Sequence, residues 1–351
     1  MRRGKVKELV SDKYNAVRGV VHHSNQSRIF DRLSATDDLL SSCDRQISEL
    51  QPLFAGFSQQ IFTCLSVIPP SIRSLLLMPL TFRLHTESQI PLEVDSLKLE
   101  TMKEQSRSEI EKTEIFRGNQ QVPAAEFFQV SGSAKEDRTV VWEGDLSNVK
   151  LIGAKLSEGI VRVEGKAGMH LGAQMTGGEI RVSGDAADWV GAEMSGGRIH
   201  IQGNAGNLVG AVYRGGRKGM SGGEILVEGN VGNEVGHTMR RGLIAIGGKC
   251  GDAAGVGMIA GTIFIFGEPG IRNGAGMKRG TIGLFGGGHS PEILPTFRKA
   301  NVYSPSFLQL YFRFLTECQF PVPESVVSGL FQRYCGDLLE MGKGEILTLA
   351  E

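Results

Sequence analysis

Six side chains in one part of this sequence have the types and spacing to hold an anion. Arg214, Arg217 and Lys218 fall close together, and His237, Arg240 and Arg241 follow about one repeat later. Cations brought side by side repel unless an anion sits among them. The group therefore reads as an anion-binding groove; the competing reading is a solvated face balanced by neighbouring Glu residues. No grouping has the form of a catalytic centre: there is no HxH, no nucleophile elbow and no phosphate-binding loop. Asp185 and Asp188 share one repeat, but Asn204 and Asn207 take their places in the next, so they read as turn formers. The five cysteines, Cys43, Cys64, Cys250, Cys318 and Cys335, contain no CxxC pair. This argues against a zinc site or disulfide framework and for a reducing compartment. "GGGH" at 286–289 reads as a turn.

The elements that must position the basic group are repeats. The second Gly of a recurring "GG" pair stands at Gly159, Gly178, Gly197, Gly223, Gly242, Gly261 and Gly280, in steps of 19, 19, 26, 19, 19 and 19 residues. A second glycine ladder, from Gly165 to Gly286, keeps the same steps, and a third, from Gly153 to Gly274, has the same 19-residue spacing with its single 26 one step later, between Gly210 and Gly236. The single 26 is a 19-residue unit with seven residues inserted, and Gly216 keeps the earlier phase, so the insertion is expected at 216–222. This alignment puts Arg214 and Arg240 at one position of adjacent units, with Lys278 further along.

Apolar residues recur two and four places after each ladder glycine. The columns run Val161, Ile180, Ile199, Ile225, Ile244, Ile263, Ile282, and Val163, Val182, Ile201, Val227, Ile246, Ile265, Leu284. The residue between them varies, as in a strand with one inward face. A small-residue column (Ala167, Ala186, Ala205, Val231, Cys250) follows, then a second expected strand carrying Leu171, Val190, Val209 and Val235. A further column reads Met175, Met194, Tyr213, Met239, Met258 and Met277, a soft core stack rather than a metal site. Glycine corners permit the positive φ of sharp turns. The fold expected is all-β: a right-handed parallel β-helix of about seven 19-residue coils. The outward residue of the first strand is Arg162, Arg181 and His200, then Leu226, Ala245, Phe264 and Gly283, with Phe266 and Phe285 one position further. An apolar wall of that kind is expected to be covered, by the tail or by a partner chain.

Around the repeat domain (140–288) the sequence divides into a leader at 1–77, a strand-rich region at 78–139 and a C-terminal cap at 289–351. The leader has no clear pattern: a helix near 27–50 would end before Pro69-Pro70, and Met78 is a candidate natural start. "LTFRLHTE" at 80–87 alternates as a strand, and 111–132 suggests short strands and turns. In the cap, 305–315 reads as a helix or buried strand and 321–340 as a second helix. Charge balances at 38 Lys+Arg against 38 Asp+Glu, which argues against nucleic acid as a partner. "IFTCLSVI" and "LLLMPL" are too short to span a bilayer, and no apolar stretch follows the basic start, so a soluble cytoplasmic protein is expected.

The unit "GGxIxVxGxxGxxVGAxM" resembles the repeat in the C subunit of formylmethanofuran dehydrogenase, and also the glycine-rich C-terminal domain of glutamate synthase large subunits. "RYCGDLLEMGKGEILTL" at 333–349 and "LTFRLHTESQIPLEVDSL" near 80 are similar to the dehydrogenase subunit. The resemblance covers about 78–351. It implies a non-catalytic subunit of a one-carbon complex. One such complex is the methanogen enzyme that reduces CO2 onto methanofuran, with a tungsten or molybdenum pterin on another subunit. The other is the bacterial formyltransferase/hydrolase complex, which passes formyl groups between tetrahydromethanopterin and a methanofuran-like carrier. Such carriers bear glutamate-rich tails, which a row of Arg and Lys would suit; the competing reading is that the same cations dock a partner subunit. The resemblance implies no cofactor on this chain, a methanofuran-type carrier as its ligand, and the other subunits as its partners. A glutamate synthase-like spacer and a β-helix polysaccharide enzyme remain as alternatives. The first lacks its fused amidotransferase and flavin domains within 351 residues; the second lacks a secretion signal and a carboxylate cluster.

Overall fold

The computed structural model describes residues 78–286 and 290–350. The expectations for the leader lie outside the described residues. The regular elements of the described chain are mostly β-strands, with few helices. It opens with β1 (Leu80–Leu84), β2 (Leu92–Glu93), α1 (Leu99–Met102), α2 (Arg107–Glu111), β3 (Glu114–Arg117), β4 (Gln120–Pro123) and β5 (Phe128–Ser131). Next come β6 (Thr139–Glu143) and β7 (Val149–Lys150). The repeats supply β8 (Ile160–Glu164), β9 (Glu179–Val182), β10 (Arg198–Ile201), β11 (Ser221–Val227), β12 (Arg241–Ile246), β13 (Thr262–Ile265) and β14 (Arg279–Leu284). The tail holds β15 (Arg298–Tyr303), α3 (Ser306–Glu317), α4 (Glu324–Val327), β16 (Phe331–Gly336) and β17 (Lys343–Leu349).

One sheet of 13 strands runs β15-β16-β17-β14-β13-β12-β11-β10-β9-β8-β6-β1-β5. Pairing is parallel from β1 through β6, along the repeats and on to β17. Like residues meet across rungs: Ile180 pairs with Val161 and Ile199, and Ile244 with Ile225 and Ile263. Rungs ~4.8 Å apart place each column of branched side chains in van der Waals contact with itself. The Ala167 column forms its own parallel bridges, Ala167–Ala186–Ala205–Val231–Cys250.

The corners explain why the period is so strict. The seven "GG" ladder glycines all take positive φ, from 72° at Gly178 to 115° at Gly261. A second corner is tied by amide side chains. Asp185 Oδ1 accepts from the Asn204 N–H, Asn204 from Asn230, and Asn230 from Lys249, at 2.7–2.8 Å. A parallel chain runs from Asp188 through Asn207 and Asn233 to Asp252. The Asn204 backbone amide, then its side chain, holds the Asp185 carboxyl below the usual carboxylate range. These carboxylates are turn formers in a ladder.

The second strand expected at Leu171, Val190, Val209 and Val235 is not extended. Its residues are buried, but His170, Trp189, Leu208 and Glu234 beside them take positive φ of 57–66°, which curls the chain into turns. Rung-to-rung bonding continues through them, for example from Gly191 N–H to the Leu171 carbonyl and from Gly210 N–H to that of Val190.

At the N-terminal end, Trp142 stacks on Phe82 with centroids 4.5 Å apart, and Phe128 meets both edge-on. At the other end the tail covers the apolar wall. Helix α3 buries Leu308, Phe312 and Leu315, spaced i, i+4, i+7, against Leu226, Ala245, Phe264, Phe266 and Phe285. Of the two readings for 305–315 the helix is correct. The helix expected within 321–340 is only the single turn α4, followed by β16. Strand β17 pairs in parallel with β14, so the tail also supplies the next rung of the ladder. Among the described residues no helix is long and apolar enough to cross a membrane.

Candidate functional site: a basic groove beneath an inserted loop

The structure moves the insertion. Met194 N–H bonds to the carbonyl three residues back, Gly191, and Met239 does the same to Gly236. Met220 makes the equivalent bond to Gly210, ten residues back; with Ala211 still in phase through its bond from Glu193 and Gly219 back in phase through its bond to Thr238, the seven extra residues are 212–218 and not 216–222. Met220, fully buried, therefore takes the core place that the sequence alignment assigned to Tyr213. Ser221 N–H then bonds to the Met194 carbonyl, as Arg240 does to Met220 and Ile259 to Met239. The rung neighbours of Arg240 are thus Ser221 and Ile259. Arg214 is not stacked on Arg240; it lies in the loop, exposed to solvent. The sequence held the signal: "MSGG" at 220–223 repeats "MSGG" at 194–197 letter for letter.

Both ends of the loop are pinned. At its start the Tyr213 ring stacks on Trp189, with centroids 5.1 Å apart, and the Tyr213 hydroxyl lies 3.0 Å from Nδ1 of His170. Burial, then the nearby Glu193, pushes the Tyr213 hydroxyl up to about 12, so it stays protonated. Burial and the Lys150 ammonium hold His170 below the usual imidazole value, against the opposing pull of Glu93 and Asp188. At its end Gly219 N–H bonds to the Thr238 carbonyl. A Cβ at Gly219 would lie 2.6 Å from the His237 carbonyl oxygen and 2.7 Å from that of Gly210, so only glycine lets the loop close this tightly.

The end of the loop forms one side of an open groove of about 620 Å³ lined by Gln174, Glu193, Ser195, Arg217, Lys218, Gly219, Arg240 and Ile259. Of the six residues expected there, Arg217, Lys218 and Arg240 line it and Arg214, His237 and Arg241 do not. His237 is engaged with Glu234, its Nδ1 lying 3.0 Å from the carboxylate. Arg241 begins β12 and pairs with Ser221 just before the register of β11 and β12 shifts, ahead of Glu224. Within the described residues none of Arg214, Arg217, Lys218, Arg240 and Arg241 forms an ion pair, although nearby chain segments do so freely. Gln174, Glu193 and Ser195 come from two earlier repeats, and no property of their own positions in the sequence marks them as groove residues. Among the described residues no three His, Cys, Asp or Glu side chains come together in a way that could hold a metal ion.

Stacked parallel strands with glycine corners and a basic groove define a glycine-rich repeat protein, and the family model described as "GXGXG motif" matches residues 146–291. The C subunit of molybdenum-containing formylmethanofuran dehydrogenase 1 from Methanothermobacter marburgensis is 39% identical over 86 residues, 24% of this chain and 22% of that protein. The C subunit of tungsten-containing formylmethanofuran dehydrogenase 2 from Methanothermobacter wolfeii is 40% identical over 88 residues, 24% of this chain and 33% of that protein. The match thus spans a third or less of these curated relatives. A chain in the crystal structure of the formyltransferase/hydrolase complex (FhcABCD) from Methylorubrum extorquens, in complex with methylofuran, is 31% identical with a TM-score of 0.70; the match covers 77% of this chain and 100% of that one. The chain belongs to the family formed by the C subunit of formylmethanofuran dehydrogenase and its counterpart in formyltransferase/hydrolase complexes.

Proposed function

We propose that this chain is a non-catalytic structural subunit of a formylmethanofuran dehydrogenase-like or formyltransferase/hydrolase complex of one-carbon metabolism, working in the cytoplasm. Its partners are the other subunits, not nucleic acid or a membrane. Its repeat domain (140–288) is a right-handed parallel β-helix of seven 19-residue coils, with the strand-rich region 78–139 at one end and the cap 289–351 at the other. The parallel register supports this, because crossovers between parallel strands are overwhelmingly right-handed. Any molybdenum or tungsten pterin sits on another subunit. The basic groove holds the glutamate-rich tail of a methanofuran-type carrier while the carrier's amine end moves between active sites elsewhere.

The observation that carries this reading is the convergence of Arg217, Lys218 and Arg240, without ion-pair partners among the described residues, on one groove at the place where the 19-residue rhythm breaks. A loop whose two ends are pinned keeps Arg217 and Lys218 beside Arg240, so a polycarboxylate meets several cations at once, and their attraction must outweigh the cost of ordering those side chains. The test is to assemble the complex with Lys218→Ala and Arg240→Ala, adding Arg214→Ala as a loop control. A long-tailed carrier is then compared with one stripped of its glutamates. The expected result is normal assembly with the preference for the long tail reduced at least tenfold and wild-type binding weakening as salt rises. An assembled double variant that keeps the wild-type preference refutes the tail groove; failure to assemble assigns the cations to a subunit interface.

A further inference from the structure

The groove contains a carboxylate among its cations. Glu193 lines it beside Arg217, Lys218 and Arg240. The carboxylate is fixed from two sides: the Gln174 side-chain amide donates to Oε2 at 3.0 Å, and the Tyr213 backbone N–H reaches Oε1 at 3.3 Å. Glu193 itself stands at a positive φ of 56°, in a column shared with Gln174 at 57°, so both side chains leave the corner on the same side. Held this way, Glu193 forms an ion pair with none of the groove's cations among the described residues. A site built only to attract negative charge has no use for such a group. A site that must choose between anions does.

We propose that Glu193 is the specificity-determining residue of the groove, selecting amide-linked polycarboxylates over polyphosphates. The inference rests on the reading of the groove as an anion site for a glutamate-rich tail. A polyphosphate carries its charges within a few ångströms of each other and has no N–H to donate, so bound in the groove it can only repel Glu193 while it meets the cations. An amide-linked polycarboxylate spaces its charges and carries N–H groups between them. It can set carboxylates on the cations and donate an N–H to the free lone pairs of Glu193, a charge-assisted hydrogen bond. Gln174 and the Tyr213 backbone occupy only part of the acceptor capacity of a carboxylate, which has about four lone-pair sites.

The test uses the full chain with two probes, a synthetic glutamate hexamer and inorganic tripolyphosphate, their affinities read by calorimetry at low and moderate salt. Wild type is expected to prefer the hexamer. Glu193→Gln keeps the shape and an acceptor for Tyr213 but removes the charge; tripolyphosphate should then tighten about tenfold, the scale of one screened charge acting on several, while the hexamer weakens. A hexamer methylated on its amide nitrogens keeps its charge and loses its donors. It should bind wild type several-fold more weakly than the parent, which tests the idea even if the variant does not fold. An unchanged hexamer-to-tripolyphosphate ratio in Glu193→Gln, or full-strength binding of the methylated hexamer to wild type, overturns the role of Glu193 while leaving the anion groove standing. If neither probe binds wild type, or if Lys218→Ala with Arg240→Ala leaves both unchanged, the groove reading falls and this one with it.

Discussion

Replacing Ile244 by Asp tests the register of the whole stack. Ile244 is fully buried, paired with Ile225 on one side and Ile263 on the other, and its Cδ1 would lie 2.7 Å from a Cβ at Gly210. The surroundings are hydrocarbon and glycine backbone. Losing the buried isoleucine costs about 2–3 kcal/mol. The new carboxyl must also stay neutral; holding it protonated at pH 7 against an unfolded value near 3.9 costs about 4 kcal/mol more. The sum, about 6 kcal/mol, is comparable with the whole stability of an ordinary domain. The sign with pH follows. The folded pKa is raised above the unfolded one, so the electrostatic part of the penalty is absent below about pH 4 and grows as pH rises toward the folded value. Ile244→Ala should lose about 2–5 kcal/mol with no such slope. Arg181→Asp, at an exposed position of the same strand layer, loses the pair with Glu179 and should cost only about 1 kcal/mol. Thermal melts of the three variants at pH 4.5 and 7 measure this. A wild-type melt of Ile244→Asp at pH 7, or a deficit that does not grow between the two pH values, would refute the assigned register.

Phe312→Ala should cost about 3–5 kcal/mol, since its ring packs 5.9–6.0 Å from Phe264 and Phe285 and is almost fully buried; chemical denaturation with tail and repeats followed separately would show whether α3 leaves the wall first. Tyr213→Phe removes only the hydroxyl beside His170 and should cost about 1 kcal/mol, with a change in the fluorescence of Trp189, on which the ring stacks. Because burial, then Lys150, depresses the folded pKa of His170, the stability it contributes is fully present above about pH 6.5 and is lost as pH falls through the folded value. His170→Gln should flatten the melting temperature between pH 7 and 5, and an unaltered pH slope would count against a buried neutral imidazole.

Much of the fold was legible before any coordinates. The columns Val161 to Ile282 and Val163 to Leu284 occupy one face of neighbouring parallel strands, and the apolar run Leu226, Ala245, Phe264 marks a covered wall. The basic group was legible as a group but not in its geometry. Arg217, Lys218 and Arg240 meet in the groove, Arg214 does not stack on Arg240, and Gln174, Glu193 and Ser195 had no individual signal. The second expected strand failed because a buried, regularly spaced column is compatible with turns as well as with extended chain once every repeat supplies a left-handed residue such as His170 or Trp189.

By itself the sequence determined the period, the inward faces and the corners, because each depends on residue types recurring at short fixed separations: branched side chains two apart, and glycine where φ must be positive. Tertiary structure alone decided three other things. The repeated "MSGG" marks where the regular unit resumes, but where the seven extra residues begin is set by the bonds of Glu193 to Ala211, Met220 to Gly210 and Gly219 to Thr238, which leave 212–218 outside the stack. The wall's cover, α3, and the last parallel rung, β17, come from segments far along the chain whose local patterns allow several placements. The groove is a meeting of side chains from repeats 19 and more residues apart with a loop pinned by Tyr213 and Gly219, and such a meeting depends on where the chain closes in space rather than on any spacing within it.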